Sequence, residues 1–264
     1  MFETNINEQR GDWMLKRERL VAILEMVNTA GLVTTTELID ALQVSDMTIR
    51  RDLDELNNSG KLIRIHGGAQ SIKGSTLYEP SHIEKREMHI DEKRAIAKLG
   101  AQFVAEEETV FIGSGTTLEL LAQSIQVNQL RVVTNSLPVF ESIQTRNANW
   151  ELVLIGGTYR NRSGAFIGNL ANSTLESLKF DKAFIGVNGI HNEAVMNASA
   201  EEGRTQGIAL NNAQQKIILA DSSKLNRDDF YQFYNLYDID VLVTDQSITN
   251  EELEQYGQFT KLVK

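Results

Sequence analysis

The chain of 264 residues contains no cysteine, which excludes disulfides and thiolate metal sites, and its formal net charge of −10 excludes a protein that coats nucleic acid through bulk positive charge. The length suits one small and one medium domain. The start, MFETNINEQRGDW (residues 1–13), is a polar lead with neither the cationic start nor the apolar core of a secretory signal, and no apolar run approaches the span of a bilayer. A cytoplasmic protein that does not associate with membranes is expected.

Residues 14–70 carry the most specific local pattern. Leu20, Ile23, Leu24 and Val27 mark an amphipathic helix closed by Gly31. Thr34 stands three residues before Glu37, the capping-box spacing, and Leu38, Ala41 and Leu42 form the apolar face of the short helix that follows. Val44 plugs a turn, Ser45 caps a second helix with apolar Ile49, Leu53 and Leu56, and Gly60 ends it. Leu62 to His66 then read as a short strand turned back by Gly67 and Gly68. The combination is a helix-turn-helix followed by a β-wing, which predicts binding to double-stranded DNA. Ser45, Thr48, Arg50 and Arg51 place small polar and guanidinium groups in the first turns of the recognition helix, and Arg64 and His66 supply donors in the wing. Asp46 and Met47 share that first turn, Thr36 lies off the apolar face of the preceding helix, and Gly67 allows close approach to a phosphate backbone, completing the predicted DNA-facing set. The plainer reading is a small helical domain whose Arg50–Arg51 pair is merely solvated. From Val44 to Gly74 there are five cations against four anions, so phosphate contacts per subunit are few and a homodimer or homotetramer reading two half-sites is expected.

Residues 71–90 (SIKGSTLYEPSHIEKREMHI) are polar, contain one of only two prolines and read as a linker, with the charged piece from His82 already helical and running toward a helix near Asp91. In that helix Ile96, Leu99 and Phe103 make the apolar stripe. From 91 to 264 strand-like and helix-like segments alternate. The strand candidates are 109–115, 130–136, 151–157, 182–190, 216–222 and 241–245, each nearly continuous in apolar character, which implies burial on both faces. The fold class is therefore α/β, with a mostly parallel sheet covered by helices. In such sheets ligands sit beyond the carboxyl ends of the strands.

The sharpest site candidate is Gly113-Ser114-Gly115-Thr116-Thr117, between a strand and a helix, where free amides, hydroxyls and the helix dipole suit a phosphate dianion. It is not a Walker loop, and a tight strand-to-helix connection is the plainer reading. Further candidates stand at the other strand ends: Asn135, Gly157, Asn188, Asp221 as an acceptor for a sugar hydroxyl, and Lys224 as a cation for the phosphate. Together they suit a phosphorylated polyol. The four histidines, His66, His82, His89 and His191, read as ordinary polar positions, and no metal or other cofactor is expected.

The runs VSDMTIRRDLDELNNSGKLIRIHGGAQ, GSGTTLELLA, VVTNSLP, LIGGTYR, GAFIGNLA, KAFIGVNGI and ADSSK resemble the DeoR family of bacterial transcriptional regulators from about residue 15 onward. The resemblance implies a winged helix joined to a sugar-phosphate-responsive domain related to ribose-5-phosphate isomerase and the CoA-transferase-like folds, repressing until a phosphorylated sugar binds. The tract EEGRTQGIALNNAQQKIILADSSK with DDFYQFYNL resembles the lactose phosphotransferase repressors within it, which implies tagatose-6-phosphate as the effector. Gln43 departs from the glycine that many helix-turn-helix turns carry.

An isomerase-like enzyme with an accessory DNA-binding domain is the alternative. It needs a carboxylate base, for which Asp181, Glu193, Glu201 and Glu202 are available. The region NGIHNEAVMNASAEEG, however, lacks the glycine run and lysine of the isomerase pattern it resembles, so binding without turnover is expected, with Glu201 and Glu202 either touching sugar or simply opening a helix. Signal relay is expected through Lys85, Arg86, Lys93 or Arg94, of which Lys85 and Lys93 join the predicted effector set. The plainer reading pairs all four with Glu84, Glu87, Asp91 and Glu92 as solvated helix charges.

Overall fold

The computed structural model describes residues 15–65, 67–71, 79–146 and 149–264, and the chain divides into two compact units between Glu79 and Pro80.

In the first unit α1 (Lys16–Ala30) buries Ile23 and Val27 and closes at Gly31, whose φ of 75° places it in the left-handed region. β1 (Leu32–Thr34) leads directly into α2 (Thr35–Leu42). The expected capping box is formed: the Thr34 hydroxyl accepts from the Glu37 amide, and the Glu37 carboxylate accepts from the Thr34 amide at 2.7 Å. Those Thr34 donors hold the Glu37 carboxyl below its ordinary range. α3 (Asp46–Asn58) starts at Ser45, whose side chain accepts from the Thr48 amide, and buries Ile49, Leu53 and Leu56 against Leu38 and Val33. The wing is β2 (Ile63–Ile65) and β3 (Gly68–Gln70), joined antiparallel to β1 in the order β1-β3-β2. A Cβ at Gly68 would overlap the Val33 carbonyl oxygen, so this glycine serves strand packing, whereas Gly67, at φ 83°, makes the turn.

The turn between α2 and α3 holds Gln43 at φ 53° and ψ 41°. A side chain there costs roughly 1–2 kcal/mol, against roughly 0.5–1 kcal/mol of extra chain entropy that glycine loses on folding. Gln43→Gly is therefore expected to raise the midpoint of chemical denaturation of the first unit, even though it gives up the 2.6 Å bond from Gln43 Nε2 to the Asp40 carbonyl. A lowered midpoint would show that this bond outweighs the strain.

The second unit opens with α4 (His82–Glu87), capped by a Ser81–Glu84 box, and α5 (Ile90–Ala101). Residues 82–87, expected within the 71–90 linker, thus form a helix of the second unit. Extended Met88 and left-handed His89, at φ 51°, separate α4 from α5. There follow β4 (Thr109–Ile112), α6 (Thr116–Ser124), β5 (Leu130–Thr134), α7 (Leu137–Ile143), β6 (Trp150–Leu154), the hairpin β7 (Thr158–Arg160) and β8 (Ala165–Ile167), and α8 (Asn169–Glu176). Beyond these lie β9 (Phe180–Gly186), β10 (Gly189–His191), β11 (Ala194–Asn197), α9 (Ala200–Asn211), β12 (Ala213–Leu219), β13 (Tyr231–Asn235), β14 (Val241–Val243), α10 (Asn250–Gly257) and β15 (Lys261–Val263).

All six expected strands lie in one parallel sheet of seven, ordered β15-β14-β12-β9-β4-β5-β6. Successive side chains leave opposite faces. Phe111, Ile185, Ile218 and Leu242 enter the core under α8, α9 and α10, while Val110, Ile112, Phe184, Ile217 and Val243 enter the core under α5, α6 and α7. The segment expected as one strand over 182–190 is broken at Val187–Asn188, and its second part joins the antiparallel sheet β10-β11-β13. From β4 the sheet grows through β5 to β6 in one direction, and from β9 through β12 to β15 in the other. The neighbours β4 and β9 therefore form the topological switch point, where the connections diverge and leave a crevice.

Candidate functional site

At the carboxyl ends of β4, β9 and β12 lies a pocket of about 620 Å³, counted out to its mouth. Gly115, at φ 142°, lets the chain turn from β4 into α6, and no side chain caps that helix. Its first amides have no carbonyl behind them within the helix, and the positive end of its dipole faces the pocket lined by Ser114, Thr116 and Thr117.

Three lysines converge on the same space. Lys85 comes from α4, Lys93 from α5, and Lys224 from the turn after β12, beside Asp221. Lys85 Nζ donates to Asn188 Oδ1 at 3.2 Å, and buried Lys93 donates from Nζ to the Lys85 carbonyl. The Lys224 amide donates to the Asp221 carbonyl at 2.9 Å, and its ammonium makes no hydrogen bond to any described residue. Burial pushes its ammonium down to about 8 from 10.5; Asp221 opposes this, and Arg227, Lys85 and Lys93 add to it. Burial likewise lowers Lys93, again opposed by Asp221. Three cations stand against Asp221, while the other pocket carboxylate, Glu202, is engaged by Ser114 and Arg160, which leaves an excess of positive charge at a helix N-terminus, the arrangement a phosphate dianion would neutralise.

The opposite wall is polar and close to neutral. Glu202, 5% exposed at the start of α9, accepts from Ser114 Oγ at 2.6 Å and from Arg160 Nη1 at 3.3 Å. Asn197 Nδ2 donates to Gln206 Oε1 at 3.0 Å, and Gln206 Nε2 to the Gly186 carbonyl at 3.4 Å. Such acceptors and amides suit hydroxyl groups.

Of the expected effector residues, Ser114, Gly115, Thr116, Thr117, Asn188, Asp221, Lys224, Lys85 and Lys93 line this pocket. Three do not. Gly113 lies beneath it, donating its amide to the Phe184 carbonyl at 2.9 Å. Asn135 ties β5 to β8 through Phe166, donating from Nδ2 at 2.9 Å and accepting at its carbonyl at 2.7 Å. Gly157 packs against the Ile167 carbonyl and Ala171. β5 and β6 stand beyond β4 in the sheet, away from the switch point, which explains why the ends they carry miss the pocket.

Among the four relay candidates, Arg86 donates to Glu119 Oε2 at 2.9 Å and Arg94 makes a surface pair with Asp91 at 3.2 Å, so only the two lysines face the ligand space. His82 corrects its reading as an ordinary polar position: it is buried, lines the pocket and pairs through Nε2 with buried Glu119. Its amide donates to the Arg162 carbonyl at 2.8 Å. Arg162, Ser163, Asn197 and Gln206 also line the pocket without having been singled out. The carboxylates considered for catalysis separate: Asp181 sits at the start of β9, at the amino-terminal end of the sheet, and accepts from the Thr109 amide at 2.8 Å, while Glu193 and Glu201 are exposed. Glu202 alone of that group reaches the pocket.

In the first unit the exposed face of α3 carries Met47, 72% exposed, with Arg50 and Arg51. Arg50 Nε donates to Asp46 at 2.7 Å, and Arg64 of the wing pairs with Asp54 while its amide donates to Asn57 Oδ1 at 2.9 Å. Ser45 is spent on the helix cap and on Thr48 Oγ1 at 2.9 Å. Thr36 and Gly67 are exposed, and His66 lies outside the described residues.

A winged helix joined to a parallel α/β unit with a lysine-lined crevice defines the class of winged-helix regulators that carry a second, pocket-bearing domain. Residues 19–75 match the DeoR-like helix-turn-helix domain and residues 88–246 the DeoR C-terminal sensor domain. The chain is 41% identical over 251 residues to a lactose phosphotransferase system repressor of Streptococcus mutans, covering 95% of this chain and 100% of that protein. It is 42% identical over 254 residues to the repressor of the same name from Lactococcus lactis, covering 95% and 99%. Among solved structures, a ribose 5-phosphate isomerase from Methanocaldococcus jannaschii aligns over 51% of this chain and 54% of its own, at 18% identity and a TM-score of 0.36. The chain belongs to the DeoR family of DNA-binding regulators.

Proposed function

We propose that the protein represses a sugar-utilisation operon and leaves its operator when a phosphorylated sugar, with tagatose-6-phosphate favoured, enters the pocket of the second unit. The observation that carries this reading is the meeting of three lysines with the open N-terminus of α6 at the switch point. The relatives named lactose phosphotransferase system repressors support the choice of sugar. The phosphate lies at Ser114–Thr117 with Lys93 and Lys224, and Asp221, Glu202 and Asn188 take the hydroxyls. No cofactor is invoked, and the operator assigns the protein to the cytoplasm.

The relay is α4. It carries Lys85 into the pocket, is tied to α6 through Glu119, and begins three residues beyond Glu79, where the first unit ends. A ligand that draws Lys85 toward its phosphate shifts α4, and a coupling of about 1–3 kcal/mol changes operator affinity by about 5- to 150-fold. A homodimer or homotetramer presents two recognition helices to two half-sites.

A gel shift on the control region upstream of the coding sequence, titrated with tagatose-6-phosphate, galactose-6-phosphate, fructose phosphates and inorganic phosphate, tests this. Release by tagatose-6-phosphate alone is the expected result. Release by another ester reassigns the sugar, and no preference for the control region over random duplex ends the proposal. Two carboxylates in the pocket, Asp221 and Glu202, favour a second reading as an isomerase-like enzyme. Product formed from any of these esters would support it, whereas thermal stabilisation without product supports an effector site.

A further inference from the structure

The recognition helix has two flanks with different partners. With Ile49, Leu53 and Leu56 in the core, Asp46, Arg50 and Asp54 fall on the flank where Asp54 meets Arg64 of the wing. Thr48, Asp52 and Glu55 fall on the other flank, facing α1. There Arg19 holds buried Asp52 with two nitrogens, Nε and Nη2, and Lys16 pairs with Glu55 at 2.6 Å. Between α1 and α3 these side chains, with Arg51, surround a polar cleft of about 500 Å³ counted to its mouth. Arg51 is exposed and makes no ion pair with any described residue.

We propose that this α1–α3 cleft is a seat for one phosphodiester group of the DNA backbone, held by the Arg51 guanidinium, the Thr48 hydroxyl and Lys16, with the Arg19–Asp52 pair as its floor. The chemistry is that of an anion site. Two exposed cations and a hydroxyl converge, and both carboxylates present already have cation partners. Asp52 is neutralised by a bidentate partner and cannot compete for the phosphate. Glu55 is 49% exposed and holds Lys16 only by a surface pair, worth about 0–1 kcal/mol, so a phosphate displaces it at little cost. The two adjacent arginines then divide their work: Arg50 stays on the wing side, toward base edges, and Arg51 anchors the backbone without reading sequence.

The inference rests on the DNA-binding reading of the first unit, and the experiment separates the two. Fluorescence anisotropy of the full chain is measured on the duplex from its own upstream region and on a random duplex, across a range of KCl concentrations. For the wild type, a preference for its own region with a steep salt dependence is the DNA-binding reading itself. Arg51→Ala and Lys16→Ala are each expected to reduce the slope of log affinity against log salt by about 0.9 per bound subunit, and to weaken both duplexes by the same factor, about fivefold near 0.15 M salt. Glu55→Gln, which frees Lys16, is expected to tighten both duplexes and steepen the slope. Unchanged slopes in Arg51→Ala and Lys16→Ala, or a loss confined to the protein's own region, would overturn the phosphate seat while leaving DNA binding intact. All three side chains are surface groups, so unchanged thermal midpoints are expected alongside.

Discussion

Lys224→Met is expected to abolish effector-driven release from the operator while leaving operator affinity nearly unchanged. The ammonium is partly buried, has no hydrogen-bond partner among the described residues, and lines the same pocket as the open start of α6. A hydrogen bond between charged groups contributes about 1.5–3 kcal/mol, so ligand affinity should fall roughly 10- to 150-fold. The same substitution should raise the thermal midpoint of the ligand-free protein at neutral pH, because a desolvated charge is replaced by a chain of similar shape. The opposite signs of the two effects distinguish a ligand contact from a merely structural residue. Titration by calorimetry decides the matter: a variant that binds as tightly as the wild type removes Lys224 from the phosphate site.

The acid–base behaviour of Lys224 has a definite sign. Its value in the folded, ligand-free protein is about 8, against an ordinary 10.5. Below pH 8 the partly desolvated ammonium is charged and its desolvation costs stability, and that cost is relieved as pH rises from 8 toward 10.5. A bound dianion favours the charged form and raises its value again. Ligand affinity is therefore expected to fall as pH rises through 8, with proton uptake on binding at pH 8.5 measurable as a dependence of the calorimetric heat on buffer. Lys224→Met should lose both effects.

Glu119→Ala should have the largest effect on stability. Glu119 is buried in α6 and receives both His82 and Arg86 of α4. Its loss leaves buried His82 without its acceptor, while Arg86, 57% exposed, turns to solvent, so the cost is that of one unsatisfied buried polar group, about 1–3 kcal/mol. Denaturation of the second unit should shift by that amount, and operator release should disappear with it, since α4 would no longer hold Lys85 in place. Operator binding by the first unit should persist. If the variant still releases DNA at normal effector concentrations, α4 is not the relay.

The parallel sheet was legible because its strands are buried on both faces: runs such as TVFI and KIIL need no alternation to be recognised. β15, β7 and β8 were not, since three residues carry no periodicity and their pairing depends on distant partners. The helices of the first unit were legible because caps and apolar spacing are local, whereas β1 is too short to show a period and Ala41, expected on the apolar face of α2, is exposed. In the pocket, Ser114 to Thr117 and Lys224 could be read from strand ends, whereas Asn135 and Gly157 share that signal but belong to strands on the far side of β4. From sequence Glu202 reads either as a sugar contact or as the opener of a helix, and its burial is not visible there. A local sign existed: Gly203 and Gly207 interrupt α9, each at a cost of roughly 0.5–1 kcal/mol, which marks a helix pressed against a neighbour. A Cβ at Gly203 would lie 2.8 Å from Phe233 Cβ. His82 had no such sign, because its burial depends on Glu119, 37 residues away.

The reversal of strand order at β4 and β9 also governs when the protein first becomes responsive during its synthesis. The groups facing the crevice are drawn from positions 82 to 224, and the final contributors, Asp221 and Lys224, follow β12. A nascent chain stalled before that point has its whole first unit and most of the crevice wall, but neither Asp221 nor Lys224. In the proposed function such a chain would lack the cation for the phosphate and would not answer to the effector until synthesis reaches about the last sixth of the sequence.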